Sequence, residues 1–365
     1  MQIGQRLFKA RNSVGYTLEK ASQKSGIGSS SLSEFENDKR EPKFSQLSKL
    51  AEIYKKTVEY FLSDNIPVDS VLLWRGRPEQ ENYKEVEEDF RRICRQYHTL
   101  EAILNEVQRS ELPACNVPKA EWNYRRAEEL ADAVHKIMDL GDIPSASLRR
   151  ILEERYYVKV FHLLFQGSAI STVDTVFGPA VLLNKDNKEW RRNYDLAHEL
   201  FHLLTWSSFR LTEEQTETPD EHKWADAFAS RLLLPTDSVK KRIESAAKGG
   251  EIGLDAIDEI AREYGVSLEA LLWRFRSLFG TPVEAIQTEI QKKPQLKLRR
   301  PERKSDEPDA YPERYCSLAI RALNEGRLSL MQFVKYMDLS YKEAQEYLRD
   351  EQEEFRDEKL SIPVA

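Results

Sequence analysis

The feature that most constrains this chain is the stretch Asp195-Leu196-Ala197-His198-Glu199-Leu200-Phe201-His202-Leu203-Leu204. Its apolar residues recur with helical periodicity. Four residues on a helix make just over one turn, about 6 Å of rise, so His198 and His202 share one face. Two imidazoles so placed can bind one zinc ion. Glu199 projects beside them, where a carboxylate can take a proton from a water the metal has acidified. The competing reading is a buried helix with two satisfied histidines.

The 365 residues are enough for two or three domains with a sizeable core. Hydrophobic residues make up 40% and charged residues 32%, as expected of a water-soluble protein. The net charge of -7 excludes a generally basic coat but leaves room for one local basic face. The first 65 residues do run against the acidic trend, with eleven Lys or Arg against eight Asp or Glu. Cys94, Cys115 and Cys316 are odd in number and widely spaced, which points to a reducing compartment. The start lacks the apolar core of a signal peptide, and no apolar run approaches the ~18 residues that span a membrane. A cytoplasmic location with no membrane contact is expected.

Residues 1–65 read as short helices with tight punctuation. Ile3, Leu7 and Ala10 mark a first stripe. Thr17 is placed to cap Leu18–Ser25, Gly26-Ile27-Gly28 to turn, and Ser29–Glu36 to follow with Leu32 and Phe35 inward. Phe44–Tyr54 and Val58–Leu62 complete the set. Helix, short turn, helix is how a helix-turn-helix presents its second helix to the major groove. The pattern Thr17-Leu18-Glu19-x-Ala21, Ser25-Gly26-Ile27, Leu32-Ser33-x-Phe35-Glu36-Asn37 and Arg40-Glu41-Pro42 resembles the phage-repressor (XRE) type of helix-turn-helix. DNA is therefore an expected partner of residues 1–65. Ser29, Ser30, Ser31 and Ser33 are the candidates for phosphates or base edges, and Lys39, Arg40 and Lys43 for the backbone. Ser29 stands where many relatives carry Gln, and Glu34 where many carry Arg. A carboxylate there repels phosphate, although it can accept from a cytosine amino group. The competing reading is a helical bundle that docks a protein.

Residues 66–118 are expected to form a helical connector, with Glu85–Leu104 its one long amphipathic helix and Leu112–Pro118 a linker. Helices are expected over Trp122–Leu140 and Ser147–Glu154, and strands over Tyr157–Phe165 and Ala180–Asn184, with 167–178 a loop or a further strand. A strand just before a metal-ligand helix can hold an extended peptide over the metal if it lies at a sheet edge. Sequence leaves Ala180–Asn184 open between edge and core.

A hydrolytic zinc site usually has three protein ligands. The third here has to come from outside 198–202, and His222 lies in the patterned segment Glu221–Pro235. Asp226, four residues on, shares its face and suits a hydrogen bond to a ligand histidine. The run Leu196-Ala197-His198-Glu199-Leu200-x-His202-Leu203-Leu204, followed by Trp224-Ala225-Asp226-x-Phe228-Ala229-x-x-Leu232-Leu233-x-Pro235, resembles the ImmA/IrrE family of zinc-dependent metallopeptidases. Upstream, Ala127-x-x-Leu130-Ala131, Leu148-x-x-Ile151-Leu152-Glu153 and Leu182-Leu183-Asn184 fit its usual order. Many members carry an XRE-type helix-turn-helix, as here.

The resemblance implies that His198 and His202 are ligands and Glu199 the general base. It puts His222 where the family usually has Glu, so a ligand swap is expected, with Glu221 or Glu217 as the alternative. Phe201 stands where Gly is common and either narrows the cleft or packs between helices. Tyr194, Arg191 and Arg192 are weighed as oxyanion donors; for the arginines, ion pairing is the stronger expectation. His162 is expected as a core or edge residue of its strand rather than a catalytic one, and His98 and His135 at the surface.

Residues 119–280 thus form the expected peptidase domain with its following helices. Residues 281–313, with five prolines, read as a linker. Within it Lys292–Lys304 is a basic run, most simply solvated. Residues 314–365 form a C-terminal helical unit. The expected fold is α+β and mostly helical: a helix-turn-helix bundle, a zincin-like domain with a small sheet, and a helical extension. The expected function is a Zn2+-dependent metalloendopeptidase that carries a DNA-binding regulatory module. By resemblance, its protein substrate is a repressor or antitoxin encoded nearby and cut under stress. The alternative is a transcriptional regulator or antitoxin-like protein whose zinc domain senses or scaffolds.

Overall fold

The computed structural model describes residues 3–63, 70–78, 83–210, 217–247, 249, 251–280 and 307–358. The N-terminal bundle comprises α1 (Ile3–Ser13), α2 (Leu18–Ser25), α3 (Ser29–Glu36), α4 (Phe44–Ile53) and α5 (Val58–Leu62). Local chemistry sets its punctuation. The Thr17 hydroxyl accepts from the Lys20 amide, 3.2 Å away, and so caps α2. Gly26 ends α2 at φ 69°, a left-handed conformation that suits a residue without Cβ. At Gly4 a Cβ would stand 2.4 Å from the Phe35 carbonyl oxygen, so α1 can cross the end of α3 only with glycine there. Leu7, Ala10, Leu32, Phe35, Leu50 and Phe61 fill the bundle's own core.

The rest of the chain is built on a four-stranded sheet: β1 (Leu73–Arg75), β2 (Lys159–Leu163), β3 (Ala169–Asp174) and β4 (Gly178–Asn184), in the order β1-β3-β4-β2. β2 runs parallel to β4; the other two pairs are antiparallel. Successive side chains of a strand point to opposite faces, and here both faces are covered. Val160, Val181 and Leu183 join a core with α7 (Tyr124–Met138), α8 (Pro144–Glu154), α9 (Glu189–Phe209) and α10 (Pro219–Leu233), continued by α11 (Thr236–Ala246), α12 (Leu254–Glu263) and α13 (Leu268–Phe279). Phe161 and Leu182 join a second core on the other face. There they meet α6 (Tyr83–Ile103), α14 (Glu313–Asn324), α15 (Leu330–Tyr336) and α16 (Tyr341–Glu358).

Two features go beyond the sequence reading. β4, weighed as a possible edge, is interior, flanked by β3 and β2. The segment read as a connector supplies strand β1 and the helix that covers one sheet face. Within 254–279 the Ser267 hydroxyl accepts from the Ala270 amide, 3.1 Å away, and so starts α13 after α12. The basic run Lys292–Lys304 lies outside the described residues. Among the described residues, no helix is long and apolar enough to cross a membrane.

The bundle docks on α6 through polar contacts. Tyr16 Oη donates to Glu85 at 2.6 Å, Lys24 reaches the same carboxylate at 3.0 Å, and Lys56 pairs with Glu88 at 2.5 Å.

Candidate metal centre

α9 is apolar on nearly every side because it lies between the sheet and α10; Leu196, Ala197, Leu200, Phe201, Leu203 and Leu204 are all buried. The same position buries His198, Glu199 and His202, whose polar atoms therefore need partners. α10 supplies two of them. The Thr218 hydroxyl accepts from the Glu221 amide, 3.3 Å away, and Pro219 opens the helix. This start sets Glu221, His222 and Asp226 facing α9. His198 Nδ1 lies 2.9 Å from Asp226 Oδ1. His202 Nδ1 lies 3.2 Å from Glu221 Oε1, an ion-pair contact rather than a well-aligned hydrogen bond.

With each Nδ1 against a carboxylate, the two Nε2 atoms converge. Both face Glu217 Oε1, His198 at 3.3 Å and His202 at 3.1 Å. His222 Nδ1 lies 3.0 Å from the other oxygen of the same carboxylate, and its Nε2 lies 3.5 Å from Asp226 Oδ2. His198, Glu217 and His222 offer ligand atoms all within 4.8 Å of one another. Of the three residues weighed beside His198 and His202, His222 and Glu217 are therefore in the cluster. Glu221 stands behind it, fully buried and paired with Arg210.

The electrostatics follow from this packing. Burial works against charge on His202, but the Glu217 and Glu221 carboxylates outweigh it and push its pKa up to about 10. Burial would raise Glu217, yet three imidazoles hold it well below the usual carboxylate range. Asp226 is likewise desolvated, and His198 with Arg75 brings it down to about 2. The Glu217 carboxylate raises His222. A cation at the convergence point would compete with the protons these nitrogens otherwise hold.

Glu199 is held from the sheet. Ser171 Oγ on β3 donates to Glu199 Oε2, while Glu199 Oε1 is buried with no hydrogen-bond partner among the described residues. Phe201 packs in an aromatic cluster with Trp122 at 5.1 Å and Phe228 at 5.7 Å between centroids. Its ring is fully buried and thus fills helix packing. Arg192 donates to the Lys185 and Asn187 carbonyls, Arg191 pairs with Asp195 at 3.1 Å, and the Tyr194 hydroxyl donates to the Asp226 carbonyl at 3.1 Å. All three already hold structural bonds. His162 is a buried core residue, as its strand position implies.

Sequence reasoning missed two residues here. Ser171 had no signal, being an ordinary strand serine. Arg75 had a faint one: a cation directly after the apolar run Val71-Leu72-Leu73-Trp74.

The donors suit zinc: imidazoles whose far nitrogens face carboxylates, one carboxylate within reach, and a general-base candidate with an orphan buried oxygen. In the N-terminal bundle, Ser29, Ser30, Lys39, Arg40 and Lys43 are exposed, and Ser31 and Ser33 are half-buried. Arg40 pairs loosely with Glu34, at 3.5 Å, and so offsets the carboxylate that stands on α3.

Two stretches of the chain match known families. Residues 7–61 match the helix-turn-helix family, and residues 153–276 match the peptidase-type family described as the IrrE N-terminal-like domain. The HTH-type transcriptional regulator ImmR of Bacillus subtilis (strain 168) is 40% identical over 62 residues, which is 17% of this chain and 49% of the regulator. The match thus spans about half the length of that relative. No solved structure matches the chain. The chain therefore joins an N-terminal helix-turn-helix domain to an IrrE N-terminal-like, peptidase-type domain.

Proposed function

We propose that this chain is a zinc-dependent metalloendopeptidase carrying a DNA-binding regulatory module, and that the protein it cuts is a specific repressor or antitoxin. The observation that supports this most is the convergence of the His198 and His202 Nε2 atoms on one point, with Asp226 and Glu221 behind them and Glu199 alongside. His198, His202 and His222 would hold the metal, with Glu217 the carboxylate that can replace or join His222; His198, Glu217 and His222 bring ligand atoms within 4.8 Å of one another, and His202 Nε2 joins them through Glu217 Oε1, 3.1 Å away. Bound there, zinc would supply Lewis-acid polarisation of the scissile carbonyl and acidify the attacking water. Glu199 Oε1 takes that water's proton and later returns it to the leaving amine. Ser171 keeps the carboxylate turned so that Oε2 is spoken for and Oε1 is the basic oxygen.

The test pairs metal content with cleavage of the neighbouring gene's product by the full chain. About one zinc per chain is expected, lost when His198 and His202 are both replaced. Glu199→Gln should keep the zinc and lower cleavage by roughly a hundredfold or more. A zinc-loaded wild-type chain that leaves the partner intact, with and without stress, would sink the reading.

A second reading is favoured by the match to a transcriptional regulator. In it DNA binding is the function and the metal domain a sensor. It predicts sequence-specific DNA retention that survives Glu199→Gln and weakens steeply with salt as phosphate contacts release counterions. Retention indifferent to both DNA sequence and salt would count against it.

A further inference from the structure

We infer that Arg75, on the short strand β1, is a positioning residue for the metal centre, so that the centre is completed by a segment outside the IrrE-like domain. The inference rests on the metallopeptidase reading and deepens it.

Arg75 reaches the site because β1 pairs with β3 in one register: Leu73 opposite Ser171 and Arg75 opposite Ala169. Ser171 is the residue that holds Glu199, so β1 runs past the catalytic helix. Alternation then buries Leu73 and Arg75 and leaves Trp74 between them half-buried. The Arg75 side chain is 7% exposed, far too little for a solvated surface cation. Its Nε lies 2.9 Å from Asp195 Oδ1, and its Nη2 lies 3.0 Å from Asp226 Oδ1. The Tyr194 ring lies against the guanidinium, 5.4 Å from centroid to Cζ. One cation thus serves two carboxylates, sharing Asp195 with Arg191 and reaching Asp226 besides.

The contact with Asp226 is the informative one. Asp226 Oδ1 is the atom that faces His198 Nδ1 at 2.9 Å. Arg75 meets that oxygen as an ion-pair contact while His198 Nδ1 lies within hydrogen-bond distance of it, so guanidinium and imidazole together hold the carboxylate's rotation. That rotation holds Nδ1–H toward Asp226 and leaves the Nε2 lone pair for the metal. Without Arg75, the Asp226 side chain, 36% exposed, is free to turn to solvent or to His222 Nε2, 3.5 Å from its other oxygen. Arg75 therefore decides which histidine Asp226 serves. Lysine could supply charge at this position but would not span both carboxylates as a planar fork does.

The test uses the full-length chain and measures zinc affinity by competition with a chromophoric chelator, with thermal melting alongside. Arg75→Met is expected to weaken zinc binding by about ten- to a hundredfold, the usual range for groups that orient a ligand histidine. Arg75→Lys should recover part of the loss. Asp226→Asn should weaken zinc comparably, and the Arg75→Met/Asp226→Asn pair should be no weaker than the worse single variant, because both act on His198 by one route. A purely structural role predicts a lower melting temperature with wild-type zinc affinity, and that result overturns the inference. If Arg75→Met fails to fold, Arg75→Lys and Asp226→Asn carry the test: losses that do not add support it, and losses that add in full overturn it. A wild-type chain that binds no zinc defeats the metallopeptidase reading and the inference with it. Zinc-binding wild type beside an equally tight Arg75→Met defeats the inference alone.

Discussion

The imidazoles of His198 and His202 do their work through their backs. Each Nδ1 meets a carboxylate, Asp226 for one and Glu221 for the other, and each Nε2 is turned to the same point. Glu221 has a second duty, since Arg210 pairs with it and that guanidinium side chain is only 2% exposed. Glu221→Ala would leave Arg210 buried without its charge partner, a loss of roughly 3–5 kcal/mol by analogy with other broken buried pairs. Glu221→Gln keeps a hydrogen-bond acceptor for His202 and should cost less stability while still weakening zinc. Chemical denaturation of both variants, with a chelator titration, separates the two effects. Equal stability of Glu221→Ala and wild type would mean that Arg210 finds another partner. At this scale, legibility in the sequence tracked distance along the chain. The spacing of His198, Glu199 and His202 is a property of one helix turn, and His222 and Asp226 of another. Ser171 and Arg75 reach the same place only through tertiary packing, and Glu217 is marked only by its nearness to His222 in the chain.

At the scale of elements, β2 shows how an outer strand is covered. It pairs with β4 on one side only, yet the His162 amide donates to the Ala310 carbonyl at 3.0 Å and its Nδ1 lies 3.2 Å from the Asp309 carbonyl. The segment entering α14 thus seals this edge. Burial drives the His162 pKa down to about 3, far below that of an exposed imidazole. The sign of the consequence is fixed. Above pH 6.5 the ring is neutral whether the chain is folded or not, and it contributes nothing. As pH falls from about 6.5 toward 3, the unfolded chain takes up a proton that the folded ring refuses, and stability is lost. Relative to His162→Gln, wild type should therefore lose about 2 kcal/mol between pH 7 and pH 5. Urea midpoints of both chains at the two pH values measure this, and parallel shifts would refute it. The long helices were legible because their apolar periods are sustained; a three-residue strand has no such period. β1 exists because β3 offers it a partner, and β4 is interior because β3 and β2 flank it. The β1–β3 pairing joins residues about a hundred positions apart.

At the scale of the whole molecule, polar groups carry much of the joint between the helix-turn-helix bundle and the rest. The bundle keeps a core of its own, and beside its contacts with α6 opens a cleft of about 720 Å³, lined in part by Lys55, Glu59, Arg95 and Lys335. At the joint, Glu88 of α6 is fully buried between Lys56 of the bundle, at 2.5 Å, and Arg91, at 2.8 Å. Arg91 in turn donates to the Ser70 carbonyl at 3.0 Å, just ahead of the strand that carries Arg75. The docking surface and the metal centre therefore share one short segment of chain. Glu88→Ala would take from the Lys56 ammonium, whose side chain is only 2% exposed, the carboxylate 2.5 Å away, and roughly 3–5 kcal/mol of destabilisation is expected. Removing both charges should be far milder, since an apolar pair of similar volume often matches or exceeds a buried ion pair. Lys56→Met/Glu88→Leu is thus expected to melt well above Glu88→Ala and near wild type. If the bundle were not seated on α6 in solution, Lys56 and Glu88 would both face water. Glu88→Ala would then fall within about 0.5 kcal/mol of wild type, as surface substitutions do. Melting curves of the three variants beside wild type decide between a fixed joint and a loose one, and only a fixed joint lets DNA contact at α3 be felt at Arg75.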